Sequence, residues 1–376
     1  MNSRFNPLSW LRARLSAFTQ AANFPLAGQP FSDAPTPADL YHLYRLLLHR
    51  NPDREGWQHW MSQLNQLTAD DLFWMFLHTL EFRRRQAERA QALPSLEFRK
   101  PNQPEPYMLS LVSQVGTQRQ VDSAIYRGWC EELKQPPAYH RKQWEVVYAL
   151  QALEEAGLLQ SGKCGLGFGV GKEPLPSVLA KRGCQVVATD LDIASARAQG
   201  WRGTSQHSNS VDELCDRLIC DLDAFRQHVT FRTEDMNNIS AGLKVASFDF
   251  VWSLCSLEHL GSLEHGLRFI KESLKCLRPG GLAIHTTEYN LSSNEDTLTT
   301  GAVVVYRQRD IEALVDELRR EGYVINLNLH PGDGSLDKYY DVPPYSGGLH
   351  LKLLLDKYVI TSVGLLIHKP TATGEA

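Results

Sequence analysis

The stretch from Lys163 to Pro174, KCGLGFGVGKEP, places glycines at 165, 167, 169 and 171 and follows them with a lysine, a glutamate and a proline. Glycines at this density let a backbone turn sharply and approach a ligand closely, as nucleotide-binding turns do. Two such turns fail on this text. A P-loop needs Gly-x4-Gly-Lys-Ser/Thr; Gly171-Lys172 is present, but Glu173 stands at the hydroxyl position and Leu166 where the first glycine belongs. The dinucleotide fingerprint needs Gly-x-Gly-x-x-Gly. Counted from Gly165, Gly167 or Gly169, its sixth position is Val170, Lys172 or Pro174. Farther along, His259, His285 and Glu288 stand in or just after apolar runs, and these residue types can remove a proton from a reacting group.

Such groups need a scaffold. After Gly162, short apolar runs alternate with helical patterns: CGLGF, CQVVATD, HVTFRTED, FDFVWSLC, GLAIHTTE, YVINLNL and VITSVGLLIH. This alternation implies a doubly wound α/β sheet, whose ligands lie beyond the carboxyl ends of its strands. Upstream, the text from Val121 to Leu159 reads as helical, and Leu93 to Tyr107 is proline-rich and polar, a linker by composition. A further helical set begins at TPADLYHLYRLLLH, with Thr36 as N-cap, Pro37 at the first helical position and apolar residues at helical spacing. The organisation expected is a tail over 1–30, a small all-α domain over 31–92, a linker over 93–117 and an α/β domain with N-terminal helices over 118–370.

The glycine stretch resembles the first motif of class I S-adenosylmethionine-dependent methyltransferases, roughly Leu-Asp-apolar-Gly-x-Gly-x-Gly. Of two registers, the better one matches Leu166, Phe168, Gly169 and Gly171 and puts Glu173 at the last glycine. Helix PLPSVLAKRG and strand CQVVATD then arrive at Asp190, 23 residues past Gly167. Asp190 is the ribose-type acid, Asp235 and Met236 in RTEDMNN fall where the family holds and packs the adenine, FDFVWSLCSLEHL resembles the fourth-strand motif, and LRPGG is the turn before strand five. The resemblance spans about residues 145–368 and implies a seven-stranded Rossmann-like sheet with S-adenosylmethionine as cofactor, held by Gly167, Gly169, Gly171, Glu173, Asp190, Asp235, Met236 and Ser253. The family's motif acid is missing, replaced by Gly167 or, in the other register, Gly165. Glu173, at a helix start, is the candidate to supply the charge instead.

Methyl transfer from a sulfonium is an in-line displacement that gains mainly from proximity, and a hydroxyl acceptor also benefits from a base. His259 after strand four is the first candidate, with Glu288 and His285 of strand five behind it. The connection from His330 to Tyr358 must lie over the site. Its Tyr339, Tyr340, Tyr345, Asp333, Asp337, Asp341 and His350 suit a polyhydroxylated ligand, and the acids at four-residue spacing suit a divalent ion as an alternative, although no metal is assigned. The expectation is methyl transfer to a small-molecule or sugar hydroxyl in surface-polysaccharide synthesis. The contrasting expectation is an inactive methyltransferase-fold protein that uses its helical module for a partner or the envelope.

That module, through Tyr44, Arg45, Leu48, Arg50, Pro52, Asp53, Gly56, Trp60, Glu81 and Phe82, resembles a small bacterial helical domain of undefined function found in surface-glycan and secreted proteins. The remaining bounds come from composition. With 43% hydrophobic and 22% charged residues in 376, a large core is affordable, and a net charge of −4 argues against a nucleic-acid partner. Seven scattered cysteines without CxxC suit a reducing cytoplasm rather than a disulfide framework. No apolar run approaches the ~18 residues of a membrane span, while Arg4, Trp10, Leu11, Arg12, Arg14, Leu15 and Phe18 admit a short interfacial helix and hence peripheral membrane or glycan-assembly association.

Overall fold

The computed structural model describes residues 34–82, 103–191, 210–343 and 345–371, apart from 49, 80, 346 and 347. The expected tail helix over 1–30 lies outside the described residues. The chain divides into two compact units, residues 1–97 and 98–376.

In the first unit, α1 (Pro37–Leu47) and α3 (Ala69–Leu77) each open with a capping box, Thr36 with Asp39 and Thr68 with Asp71. Between them α2 (Arg54–Gln63) is capped by Asp53, which accepts from the Gly56 N–H at 2.7 Å. Leu40, Tyr44, Trp60, Leu64, Leu72, Phe76 and Phe82 form the core. Arg50 ties the unit together. Its guanidinium forks onto Glu81 at 2.6 and 2.7 Å, reaches Asp53 at 2.8 Å and lies 4.9 Å from the centre of the Tyr44 ring. The motif residues of this module are thereby explained by packing and ion pairing.

The second unit is built on one mixed sheet, in the order β4-β3-β2-β5-β6-β9-β1-β7, with β8 paired to β9. The strands are β1 (Ser113–Val115), β2 (Cys164–Phe168), β3 (Gln185–Asp190), β4 (Val229–Thr233), β5 (Phe248–Leu254), β6 (Leu277–Asn290), β7 (Leu327–Asn328), β8 (Lys352–Leu355) and β9 (Tyr358–His368). The five strands β4 to β6 run parallel and β9 is antiparallel to β6. Nine strands replace the expected seven. One addition, β1, falls inside the segment expected as linker and wedges between β9 and β7. The other, β8, is a hairpin partner of β9. Three-residue β1 carries no periodic signal, and only β9 and β7 define it as a strand.

Helices cover both faces. On one lie α4 (Ala124–Glu132), α5 (Arg141–Glu155), α6 (Leu175–Lys181) and α7 (Leu222–His228), whose side chains pack on Val186, Phe250, Trp252 and Ile284. On the other, α8 (Leu263–Ser273) and α9 (Gln308–Arg320) pack on Leu166, Phe168, Val251 and Ala283. The sheet reverses its winding between β2 and β5, and the crevice at that switch is where such folds bind ligands. No helix among the described residues is long and apolar enough to cross a membrane.

Replacing Arg50 with alanine removes the fork that closes the first unit. A loss of about 1 kcal/mol is expected for a charge pair of this exposure, read as faster amide hydrogen exchange in α1 and α3 of the full chain; unchanged exchange rates would contradict it.

Candidate functional site

The four alternating glycines divide into two pairs with different physical duties. Gly165 and Gly167 lie inside β2, in register with Phe250 and Trp252 of β5. A methyl group on either glycine would overlap the neighbouring aromatic ring, because both rings lie flat across the strand beside them. Gly169 and Gly171 form the turn after the strand, with φ of 59° and 55°, in the left-handed region that glycine enters without steric cost. A Cβ on Gly169 would stand 2.7 Å from Ser256 Oγ and 3.2 Å from Met236 Sδ. The turn is therefore closed in by residues following β4 and β5.

Asp190 ends β3 with its side chain toward this turn. Its Oδ2 accepts from the Gly171 N–H at 3.2 Å and its Oδ1 from the Leu191 N–H at 2.8 Å. Ser256 Oγ donates to the Gly169 carbonyl at 3.0 Å. Past β4, Asp235 Oδ1 accepts from the Asn237 N–H at 2.9 Å, and Met236 is buried beside Gly169. Asn237 Oδ1 is buried and has no hydrogen-bond partner among the described residues. An orphaned acceptor in this position fits an amino group of a bound nucleoside. Positive-φ glycines, an acid at the end of β3 and an unpaired acceptor past β4 together match an adenosine-containing cofactor, so the residues present fit the one the resemblance implies.

The missing motif acid has a steric cause. Trp252 fills the space over Gly167 where its side chain would stand, and the indole Nε1–H donates to Glu173 Oε1 at 2.5 Å. Glu173 is thereby held against the ring that closes the strand position. Burial, opposed by the Trp252 hydrogen bond and reinforced by Glu145 and Asp190, pushes this carboxyl up to about 8. The residue keeps intermediate exposure, so water at the rim of the turn tempers the effect. Lys142 also acts against the shift, yet burial prevails, so Glu173 is drawn toward its neutral form rather than standing as the fixed charge expected.

Ser253 and His285 depart from expectation. Ser253 is fully buried and bonded to His285 Nδ1 at 2.8 Å, and His285 Nε2 meets Ser273 Oγ at 3.1 Å. Sealed under α8 with Phe269 at its edge, the ring is pushed down to about 3 by burial. Neither residue reaches the cofactor turn or an acceptor: strand alternation sends them to the helix face. His285 is a core histidine.

His259 and Glu288 do reach the carboxyl ends of the strands. His259 Nδ1 lies 2.8 Å from the Ala302 carbonyl, which fixes the proton on Nδ1, and its Nε2 is 3.7 Å from Glu258 Oε1. Glu288 pairs with Arg141 Nη1 at 2.6 Å, and Arg141 opens α5. Cys255, at φ 44°, turns the chain out of β5 and places its sulfur 2.8 Å from Glu145 Oε1. Sequence reading missed Asn237, Arg141, Glu145 and Cys255 as site residues, while Glu258 stood among the candidates just past strand four. Arg141 and Glu145 sit at the amphipathic start of a helix, where charge ordinarily signals solvent.

The long connection is pinned to α5: the Arg141 N–H donates to the His350 carbonyl at 3.2 Å, and His350 stacks on His140 at 4.9 Å. Its acids do not converge on an ion. Asp333 faces His330 at 3.6 Å, Asp337 accepts from the Gln118 and Gly334 backbone N–H groups and buried Lys352, and Asp341 faces His350 at 2.9 Å.

If Trp252 excludes a side chain at Gly167, Gly167→Ala should cost about 1–3 kcal/mol in denaturant unfolding, from overpacking. The cost should shrink in a Trp252→Leu background; equal costs in both backgrounds would refute the steric account.

The "Methyltransferase domain" family matches residues 166–285, and "Domain of unknown function (DUF4214)" matches residues 32–85. No curated protein matches the chain. Among solved structures, a SAM-dependent methyltransferase from Aquifex aeolicus is 14% identical at a TM-score of 0.33, covering 58% of this chain and 88% of its own. Magnesium protoporphyrin IX methyltransferase from Synechocystis PCC 6803, with bound SAH, is 14% identical at 0.36, covering 66% and 95%. A S-adenosylmethionine-dependent methyltransferase from Clostridium acetobutylicum is 13% identical at 0.34, covering 65% and 98%. The chain carries a class I S-adenosylmethionine-dependent methyltransferase domain, preceded by a domain of the DUF4214 family.

Proposed function

We propose that the protein transfers a methyl group from S-adenosylmethionine to a hydroxyl of a small polyhydroxylated molecule, a sugar of surface-polysaccharide synthesis, with His259 as the base. The observation that carries this reading is the state of His259. The Ala302 carbonyl holds its Nδ1–H, which leaves Nε2 as the basic nitrogen at the carboxyl end of β5, three residues beyond Ser256, the residue that closes the cofactor turn. Glu258 Oε1, 3.7 Å from Nε2, stabilises the imidazolium once the proton has moved. The cofactor supplies an electrophilic methyl on a cationic sulfur. The chain supplies orientation through the glycine turn and Asp190, a carboxyl at Glu173 for the cationic end, and a base. Support for a sugar comes from the tyrosines and histidines of the connection pinned over α5, whose ring faces suit the apolar face of a pyranose. The absent motif acid does not favour an inactive protein, since Trp252 and Glu173 account for it.

Labelled methyl from S-adenosylmethionine should appear in extracted cell glycans incubated with the enzyme. His259→Ala should lower the rate by about 10²–10⁴-fold with cofactor affinity intact. A wild-type rate in that variant would remove His259 from the role of base.

Cofactor affinity should also depend on pH through Glu173. A cationic ligand needs the carboxylate, and burial pushes the Glu173 carboxyl up to about 8. Binding below that pH therefore expels a proton, so affinity should rise with pH between about 6 and 7.5. Calorimetry in two buffers of different ionisation heat reads the released proton directly. Glu173→Gln should bind more weakly and release none; proton release unchanged in that variant would exclude Glu173 as the cause.

A further inference from the structure

Four elements deliver ionic or polar side chains to one buried patch at the carboxyl ends of β5 and β6. Arg141 and Glu145 come from α5, Cys255 and Glu258 from the segment after β5, Glu288 from β6 and Ser362 from β9. Much of the patch satisfies itself. Arg141 Nη1 meets Glu288 Oε1 at 2.6 Å, Cys255 Sγ and Ser362 Oγ both donate to Glu145 Oε1, and Thr287 Oγ1 donates to Glu258 Oε2 at 3.2 Å. Three buried atoms have no hydrogen-bond partner among the described residues: Arg141 Nε, Glu258 Oε1 and Glu288 Oε2. Glu258 is 0% and Glu288 4% exposed, so bulk solvent does not compensate them. Leaving charged groups half-satisfied in such a place costs stability, and such groups are retained where a ligand completes them.

We propose that this patch is the acceptor subsite and that it recognises two adjacent hydroxyls, a vicinal diol. The proposal rests on the hydroxyl-methylation reading above. A hydroxyl donates one hydrogen and accepts through two lone pairs. One hydroxyl donates to Glu288 Oε2 and accepts from the Arg141 Nε–H, and its neighbour donates to Glu258 Oε1. Because Glu258 Oε1 lies 3.7 Å from His259 Nε2, the hydroxyl on Glu258 is the one that reacts. Its oxygen forms the new bond to the methyl carbon as the sulfur–carbon bond breaks, its proton passes to the Glu258 Oε1 it already faces and from there to His259 Nε2, and the sulfonium leaves as the neutral thioether.

Other ligand chemistries match less well. An anionic acceptor would face two carboxylates, and an ammonium would face Arg141. Donor atoms of Cys255, Glu258 and Glu288 lie within 4.8 Å of one another, which also describes a metal site. However, Arg141 already occupies Glu288, and burial together with Glu145 and Glu258 pushes the Cys255 thiol well above its ordinary range, away from the thiolate a metal would bind.

The full chain saturated with S-adenosylhomocysteine tests this by ligand-observed saturation-transfer NMR. Methyl α-mannopyranoside and myo-inositol serve as vicinal-diol probes, cyclohexanol and cis-1,3-cyclohexanediol as probes without one. The vicinal diols should bind and the others should not. Glu288→Gln and Arg141→Lys should each weaken the diols at least tenfold while leaving S-adenosylhomocysteine affinity unchanged, which also reports that the variants fold. Equal binding of all probes, binding of none, or stoichiometric Mn²⁺ or Zn²⁺ in equilibrium dialysis that Cys255→Ser abolishes, would each overturn the diol subsite. Failure of the wild-type chain to bind S-adenosylhomocysteine would instead overturn the methyltransferase reading on which it rests.

Discussion

The indole of Trp252 is the contact on which the site depends. It lies across Gly167 of the neighbouring strand and donates its one hydrogen bond to Glu173. A large ring at the switch point between β2 and β5 fills the interior beside the crevice, and it can do so only because the strand it crosses has no side chain at that position. The same ring decides where the negative group must stand. With the strand position closed to an acid, the nearest carboxyl is that of the residue two past the turn, which burial pushes toward its neutral form while the indole hydrogen bond opposes the shift. One packing choice thus sets the strand sequence at Gly167 and the partner of the Glu173 carboxyl.

Charge placement follows a similar economy on the acceptor side. The interior end of α5 carries Arg141 and Glu145 into contact with β5, β6 and β9, and the long connection is fastened to the first residues of the same helix through His140 and His350. Helix, strands and connection are therefore held by one set of ionic and backbone contacts. Buried ion pairs are weak sources of stability, because desolvation offsets their attraction. Their persistence here, with three polar atoms still unpaired, is better explained by recognition than by folding. His285 shows the contrast: it too is buried and polar, but both its nitrogens are satisfied by serines, and it contributes packing alone.

Legibility in the sequence followed the range of each interaction. The helical module was readable because capping boxes and helical periodicity are local: Thr36, Asp39, Thr68 and Asp71 act within one turn. The α/β alternation and the ligand crevice followed from strand and helix patterns and from the chemistry of positive-φ glycines. Gly169 and Gly171 were assigned to the turn correctly, whereas Gly165 and Gly167 looked like its continuation and are packing residues. Strands β1 and β8 were not readable, since a segment of three or four residues becomes a strand only when its partner is in place.

The sequence by itself determined the fold class, the strand–helix alternation of the parallel sheet and the turn at Gly169 and Gly171, since these rest on periodicity and on glycine's backbone freedom. Tertiary structure alone decided which side chains share the site. Strand alternation buried Ser253 and His285 behind the sheet, and the packing of α5 brought Arg141 more than a hundred residues to Glu288. The physical reason is that hydrogen bonds and ion pairs act over a few ångströms, and distances of that order between remote residues exist only once the core has fixed the backbone.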